Sequence, residues 1–277
     1  MSPALNPPGL VGTTLLLTRR KLAARLLSPW LYIVASLICL IAFFYGGGFL
    51  RSFETESVLV TTDPLAALNA VVVAVLAVVL GLRLATSLAW EREHRTMELL
   101  LVGPVSHEAI LLAKFCAELI LLVLLMVVYA AYLVVAQPLG AGVVGLADAA
   151  AIGRMPLHAL PLMALGLLVS AWARSVRGAV VAYLAIVVIL ALFEIVLGLL
   201  TARQPQELSL AAAYLRSVMS VAATVVDPVS AVSRLADLAA GLTVQTPIPA
   251  SRTLMAVALA VGTLALAALV SRARGAV

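Results

Sequence analysis

Long stretches of the chain pass with almost no charge, and they recur from end to end at close to the roughly 20 residues that cross a bilayer. They fall at about residues 29–50, 64–88, 109–136, 156–172, 179–200 and 253–270. A spanning segment must satisfy its backbone polar groups internally, and these runs lack the two-residue alternation of barrel strands, so they predict helices. The expected fold class is an all-α polytopic membrane protein with about six transmembrane helices. Composition agrees, since 64% of the 277 residues are apolar and 11% charged, against roughly 25% charge in a soluble domain.

Local punctuation supports the assignment. Ser28-Pro29, Asp63-Pro64 and Asp227-Pro228 each set a capping residue before a proline suited to the first helical position. Trp30 and Trp172 stand at predicted span ends, where interfacial aromatics belong. Residues 11–27 place Leu15, Leu16, Leu22, Leu26 and Leu27 on one helical side, with Arg20, Lys21 and Arg25 largely opposite. That pattern predicts a helix lying in the membrane interface, although Arg19 falls on its apolar side. The first run follows a basic leader but is too long for a signal-peptide core and lacks a cleavage site, so it is read as the first span.

An even number of spans sorts the basic residues onto two sides. Arg19, Arg20, Lys21, Arg25, Arg92, Arg95, Arg174, Arg177, Arg272 and Arg274 share short segments on one side. The other side holds Arg51, Arg154, Arg203, Arg216, Arg234 and Arg252 in longer segments that also carry most of the acids. The positive-inside bias then predicts both termini in the cytoplasm. The net charge of +5 is accounted for by topology; it forms no single basic face with interleaved aromatics, so no nucleic-acid partner is expected.

The expected organisation is an N-terminal interfacial helix at 1–28 and a six-span domain at 29–277. Within the latter lie a cytoplasmic segment at 90–108 and an extracytoplasmic helical segment at 201–252. Residues 208–226 are apolar enough to imitate a seventh span, but Arg216 near their middle argues against crossing.

Several chemistries find no support. Cys39 and Cys116 sit inside predicted spans as small hydrophobes, and His94, His107 and His158 have no metal-ligand spacing. The chain has two lysines, Lys21 and Lys114, preceded by Arg20 and Ala113, so it contains no GxxxxGK[ST] phosphate loop. Any ATP-driven work requires an ATPase on another chain, with ATP and magnesium bound there and no cofactor here. A membrane-embedded enzyme would need a convergent polar set that the sequence does not offer. An anchoring or assembly factor that moves nothing is the other rival.

The informative stretch runs from Trp90 to Ser106, WEREHRTMELLLVGPVS. It reads as a short charged helix ended by Gly103-Pro104, after which Ser106 caps the third span with Glu108 in its first turn. Glu91 with Arg95, and Arg95 with Glu98, stand at helical pairing distances, while Met97, Leu100 and Leu101 form an apolar side. From the residues alone, a solvated loop accounts for the stretch equally well.

The stretch resembles the signature of ABC-2 type transporter permeases, E-x-E-x-G-T-[LM]-E-x-L-L-x-x-P-[VI]-S, followed shortly by a lysine in the third span. Glu91, Glu93, Thr96, Met97, Glu98, Leu100, Leu101, Pro104, Val105, Ser106 and Lys114 match in register, and Arg95 replaces the usual glycine. Asp227-Pro228 followed by Arg234-Leu235 is similar to a pattern of the NosY-like subgroup, with Asp for Asn. The resemblance implies a permease subunit, an exporter by family habit, without ATPase activity of its own. It would sit in a bacterial or archaeal cytoplasmic membrane, dimerise with a second permease copy and dock a separate P-loop ATPase. Glu91, Arg92, Glu93, Arg95, Thr96, Met97, Glu98 and Pro104 are then the expected ATPase-coupling residues.

Two acids fall inside predicted spans. Glu118 lies one helical turn from Lys114, which predicts a local pair or snorkelling network. Glu194 lies deep in the fifth span with no charged sequence neighbour, so it is expected to face protein or a watery cavity. Interhelical hydrogen bonding and a place on the substrate path both suit it.

Overall fold

A computed structural model describes residues 10–56, 64–94, 106–136, 155–202, 210–226 and 250–275. Those residues form α1 (Leu10–Leu26), α2 (Pro29–Glu56), α3 (Pro64–Glu93), α4 (His107–Ala136), a 3-10 turn (Met155–Ala159), α5 (Leu160–Trp172), α6 (Val176–Ala202), α7 (Leu210–Val226) and α8 (Ala250–Gly275), with no strand among them. Helices α2 and α3 begin at the two prolines, whose missing N–H costs nothing in a first turn. Helix α4 begins just after Ser106, whose Oγ accepts the Ala109 N–H at 3.2 Å.

Four stretches are long and apolar enough to cross a membrane singly: Leu68–Glu93, His107–Ala136, Val176–Leu197 and Thr253–Ala273. Helices α1 and α2 qualify as a pair bent by 67°, and the α5 stretch, Pro156–Trp172, is apolar but shorter. The set is compatible with six crossings. Helix α7 has 17 residues, about 26 Å of helix against a hydrocarbon core of about 30 Å, and it carries Arg216.

Helix α3 is the hub. Leu76, Leu80, Leu84 and Leu88 repeat every fourth residue and are fully buried, with Ala77, Ala85 and Ala89 beside them. Helices α5, α6, α4 and α2 all pack against it, and α8 packs on the far side of α5. The α3–α5 crossing is backbone against backbone. A Cβ on Gly166 would lie 2.9 Å from the carbonyl carbon of Gly81, and a Cβ on Gly81 would lie 2.7 Å from the Tyr183 ring. Lipid tails are as apolar as leucine, so helices in a bilayer gain from such close approach of small residues rather than from hydrophobic exclusion. Tyr183 of α6 locks the crossing by donating its hydroxyl to the Ala77 carbonyl at 3.3 Å.

The bend between α1 and α2 turns α1 back along the bundle. Thr13 and Thr18 are buried, and the Thr18 hydroxyl reaches the Ala113 carbonyl of α4 at 3.4 Å. Val11, Leu15, Leu16 and Leu27 point outward, while Leu22, expected on that apolar side, packs against the core. One end of the bundle therefore collects α1, the start of α2, the ends of α3 and α5, and the starts of α4 and α6. Arg272 near the end of α8 joins them through an ion pair with Glu108. These are the segments that the charge distribution assigns to a single side.

Candidate functional site

Helix α3 does not stop where its apolar run ends. It continues unbroken through Trp90 to Glu93, so the charged stretch starts as the last turn of a span rather than as a separate short helix. His94 closes that turn, its N–H donating to the Trp90 carbonyl at 3.1 Å and its ring stacked on the Trp90 indole at 4.3 Å. Arg95, Thr96, Met97, Glu98 and Pro104 lie outside the described residues.

The three expected coupling residues that are described, Glu91, Arg92 and Glu93, are consecutive, and each reaches a different helix. Glu91 faces inward: its carboxylate meets Lys114 of α4 at 2.7 Å and Lys21 of α1 at 3.5 Å. Arg92 reaches the C-terminal end of α5, where Nη1 donates to the carbonyls of Ala171 at 2.7 Å, Ala173 at 3.3 Å and Ser170 at 3.4 Å. Glu93 accepts the Val176 N–H at 3.0 Å, the first amide of α6. A helix end offers carbonyls that lack partners and a helix start offers amides that lack them, so a cation suits the first and an anion the second. Arg92 and Glu93 thus clasp the α5–α6 elbow from its two sides. Ser170 adds a buried tie, its Oγ accepting the N–H groups of Leu88 and Ala89 at 2.9 and 3.2 Å.

Behind Glu91 lies a second carboxylate. Glu118 Oε1 stands 3.7 Å from Arg25 of α1 and 3.7 Å from Arg83 of α3. Arg83 is held flat, its guanidinium carbon 3.6 Å above the Trp30 ring, a cation–π contact that a desolvated setting strengthens. Among the described residues the buried Glu118 Oε2 and Arg83 Nη1 have no hydrogen-bond partner, so the pair is balanced by charge more than by directed bonds. Lys114 also donates to the Ser87 carbonyl at 2.7 Å. Burial holds the Lys21 ammonium below its ordinary pKa, opposed by Glu91.

The local Lys114–Glu118 pair expected from spacing is not what forms. Each residue takes a partner from another helix, because a buried charge leaves water only when close opposite charge compensates it, whichever element supplies that charge. Arg83, a lone arginine inside an apolar run, was the available signal for this cluster, and nothing in the motif pointed to it. Glu194 lies on α6, with its side chain outside the described residues. Among the described residues no group of three His, Cys, Asp or Glu side chains could hold a metal ion.

The sequence model of a family described as "ABC-2 family transporter protein" matches residues 27–273. A search of curated proteins finds no match. A bundle of apolar helices whose charged ends are knit to the motif residues Glu91, Glu93 and Lys114 is what that family match covers, and the chain belongs to the ABC-2 family of transporter proteins, the multi-pass membrane permeases that partner ABC ATPase subunits.

Proposed function

We propose that this permease forms the path of an exporter and takes its motion from a separate P-loop ATPase that docks on residues 91–104 at the cytoplasmic face. The observation that carries the reading is the splay of Glu91, Arg92 and Glu93 into α1 and α4, α5, and α6. A displacement applied just beyond His94 meets four helices through these ties, where an untethered loop would absorb it. ATP and magnesium act on the partner, because neither lysine stands in a phosphate loop. A second permease copy completes the membrane part, with both termini in the cytoplasm. Export follows family habit. Glu194 is the candidate for the substrate path, since Glu118 is taken up by two arginines.

The experiment is co-purification with the native ATPase, followed by Glu93→Lys and Glu98→Lys together. Glu91 is left intact because its reversal would break internal packing. Stimulation of the partner's ATP turnover is expected to fall about tenfold or more, with the amount of permease in the membrane unchanged. Unaltered stimulation, or a chain that copurifies with no ATPase, would refute the reading.

A further inference from the structure

Glu91 and Glu118 each face two cations, one from inside the bundle and one from α1. Within the bundle the charges already balance, Lys114 matching Glu91 and Arg83 matching Glu118. The second cation on each carboxylate is a residue of α1, Lys21 or Arg25, one helical turn apart and so on the same face. Among the described residues the cluster therefore holds two positive charges more than its carboxylates neutralise.

Those two charges lie at its open edge. The side chains of Lys21 and Arg25 are 30% and 39% exposed, whereas those of Lys114 and Glu118 are 4% and 6% exposed. Lys21 holds Glu91 more loosely than Lys114 does, at 3.5 against 2.7 Å, and Arg25 holds Glu118 at 3.7 Å, as far as Arg83 does. Arg25 and burial both weigh against the charge on Lys21, so a further anion there would be welcome. The same helix turns Val11, Leu15 and Leu16 outward, and Leu27 just after it is exposed too, as in a segment resting among acyl chains.

We propose that Lys21 and Arg25 seat the phosphate of an anionic phospholipid from the inner leaflet, with Arg83 and Lys114 supplying positive field from beneath. A guanidinium fork and an ammonium match phosphate oxygens, and the anionic cytoplasmic surface delivers them. A lipid is the source, rather than free phosphate, because apolar side chains flank the seat on α1 and only a lipid brings chains to cover them. Both cations precede residue 27, where the family match begins, while Arg83 and Lys114 lie within it. The proposal rests on α1 lying in the cytoplasmic interface; it needs no ATPase, so failure of the coupling reading would leave it intact.

The test uses the full chain, purified and reconstituted into nanodiscs of phosphatidylcholine with a minor fraction of phosphatidylglycerol. Phosphatidylglycerol retained by the protein is then measured by native mass spectrometry. Lys21→Gln with Arg25→Gln is expected to lower retention by about tenfold or more. The charge-preserving pair Lys21→Arg with Arg25→Lys keeps retention and shows that the bundle survives exchange at these positions. Arg19→Gln with Arg20→Gln removes the same net charge from exposed positions of α1 and leaves retention within about twofold. Equal loss in both Gln pairs would mean unspecific attraction and would overturn the proposal, as would no loss in the first. Displacement of the retained lipid by inorganic phosphate alone would assign the seat to a free anion and overturn the lipid source.

Discussion

Around Gly81 and Gly166 two helix backbones touch, whereas ten residues further along α3, at Glu91, long charged side chains tie neighbouring helices together. The separation is about 15 Å of helix. A steric contact resists approach and says little about separation; a charged tie resists separation and tolerates small changes of distance. The middle of the bundle thus fixes how close α3 and α5 come, while the end that carries Glu91, the inner end in the proposed orientation, ties α3 to α1, α4, α5 and α6. Substitutions that leave one region intact and damage the other separate these roles.

The largest effect is expected at the inner end. Glu118→Ala leaves Arg25 and Arg83 facing each other without the carboxylate between them, and removing one partner of a buried ionic group costs about 3–5 kcal/mol. The midpoint of unfolding of the purified protein reads this out. Replacing Glu118 and Arg83 together by Leu and Met should recover much of the loss, since a buried ion pair exchanged for well-packed apolar groups is often near neutral. A single variant as stable as the parent would show that the cluster is hydrated rather than buried.

The middle should answer more moderately and with a built-in control. Gly166→Ala drives a methyl group into the Gly81 backbone, an overpacking expected to cost about 1–3 kcal/mol. Gly262→Ala makes the same chemical change in α8, where an added Cβ would have no atom within 4 Å, so helix propensity alone applies and favours Ala by up to about 1 kcal/mol. Opposite signs for the two variants in the same unfolding assay establish close approach as the cause. Equal effects would reduce both to helix propensity.

Much of this contrast could be read from residues, and its details could not. The apolar runs announce helices, and Pro29, Pro64 and Ser106 mark where three of them start, because caps and prolines act through local backbone chemistry. The motif at 91–106 carries the resemblance to the ABC-2 family that the match over residues 27–273 bears out, although its second half lies outside the described residues. What sequence spacing left open, between a local pair and a network, was partnership. Lys114 and Glu118 are neighbours on one helix, yet the first goes to Glu91 and the second to Arg25 and Arg83. Spacing along a helix reports proximity in an isolated segment, while a bundle brings competing partners from every side. The Gly81–Gly166 crossing is hidden for the same reason, since a glycine in an apolar run carries no mark of which helix lies across it.

The smallest effect sharpens the comparison on the other side of the Gly81–Gly166 crossing, toward the start of α3. Tyr129 of α4 donates its hydroxyl to Asn69 Oδ1 of α3 at 2.6 Å, and both residues are buried. A bond so short in an apolar setting invites a large value, because the alternative is an unsatisfied polar group. The unfolded chain in a membrane also finds partners for these groups, however, which brings interhelical hydrogen bonds down to about 0.6 kcal/mol on average and about 1.7 at most. A double-mutant cycle with Tyr129→Phe and Asn69→Leu isolates the pair from the packing each side chain contributes. A coupling energy inside that range would mean that shape governs this half of the α3–α4 contact. A value well above it would mean that α3 is tied to α4 by a polar clamp toward each of its ends, and the division between a steric middle and a tethered inner end would have to be redrawn.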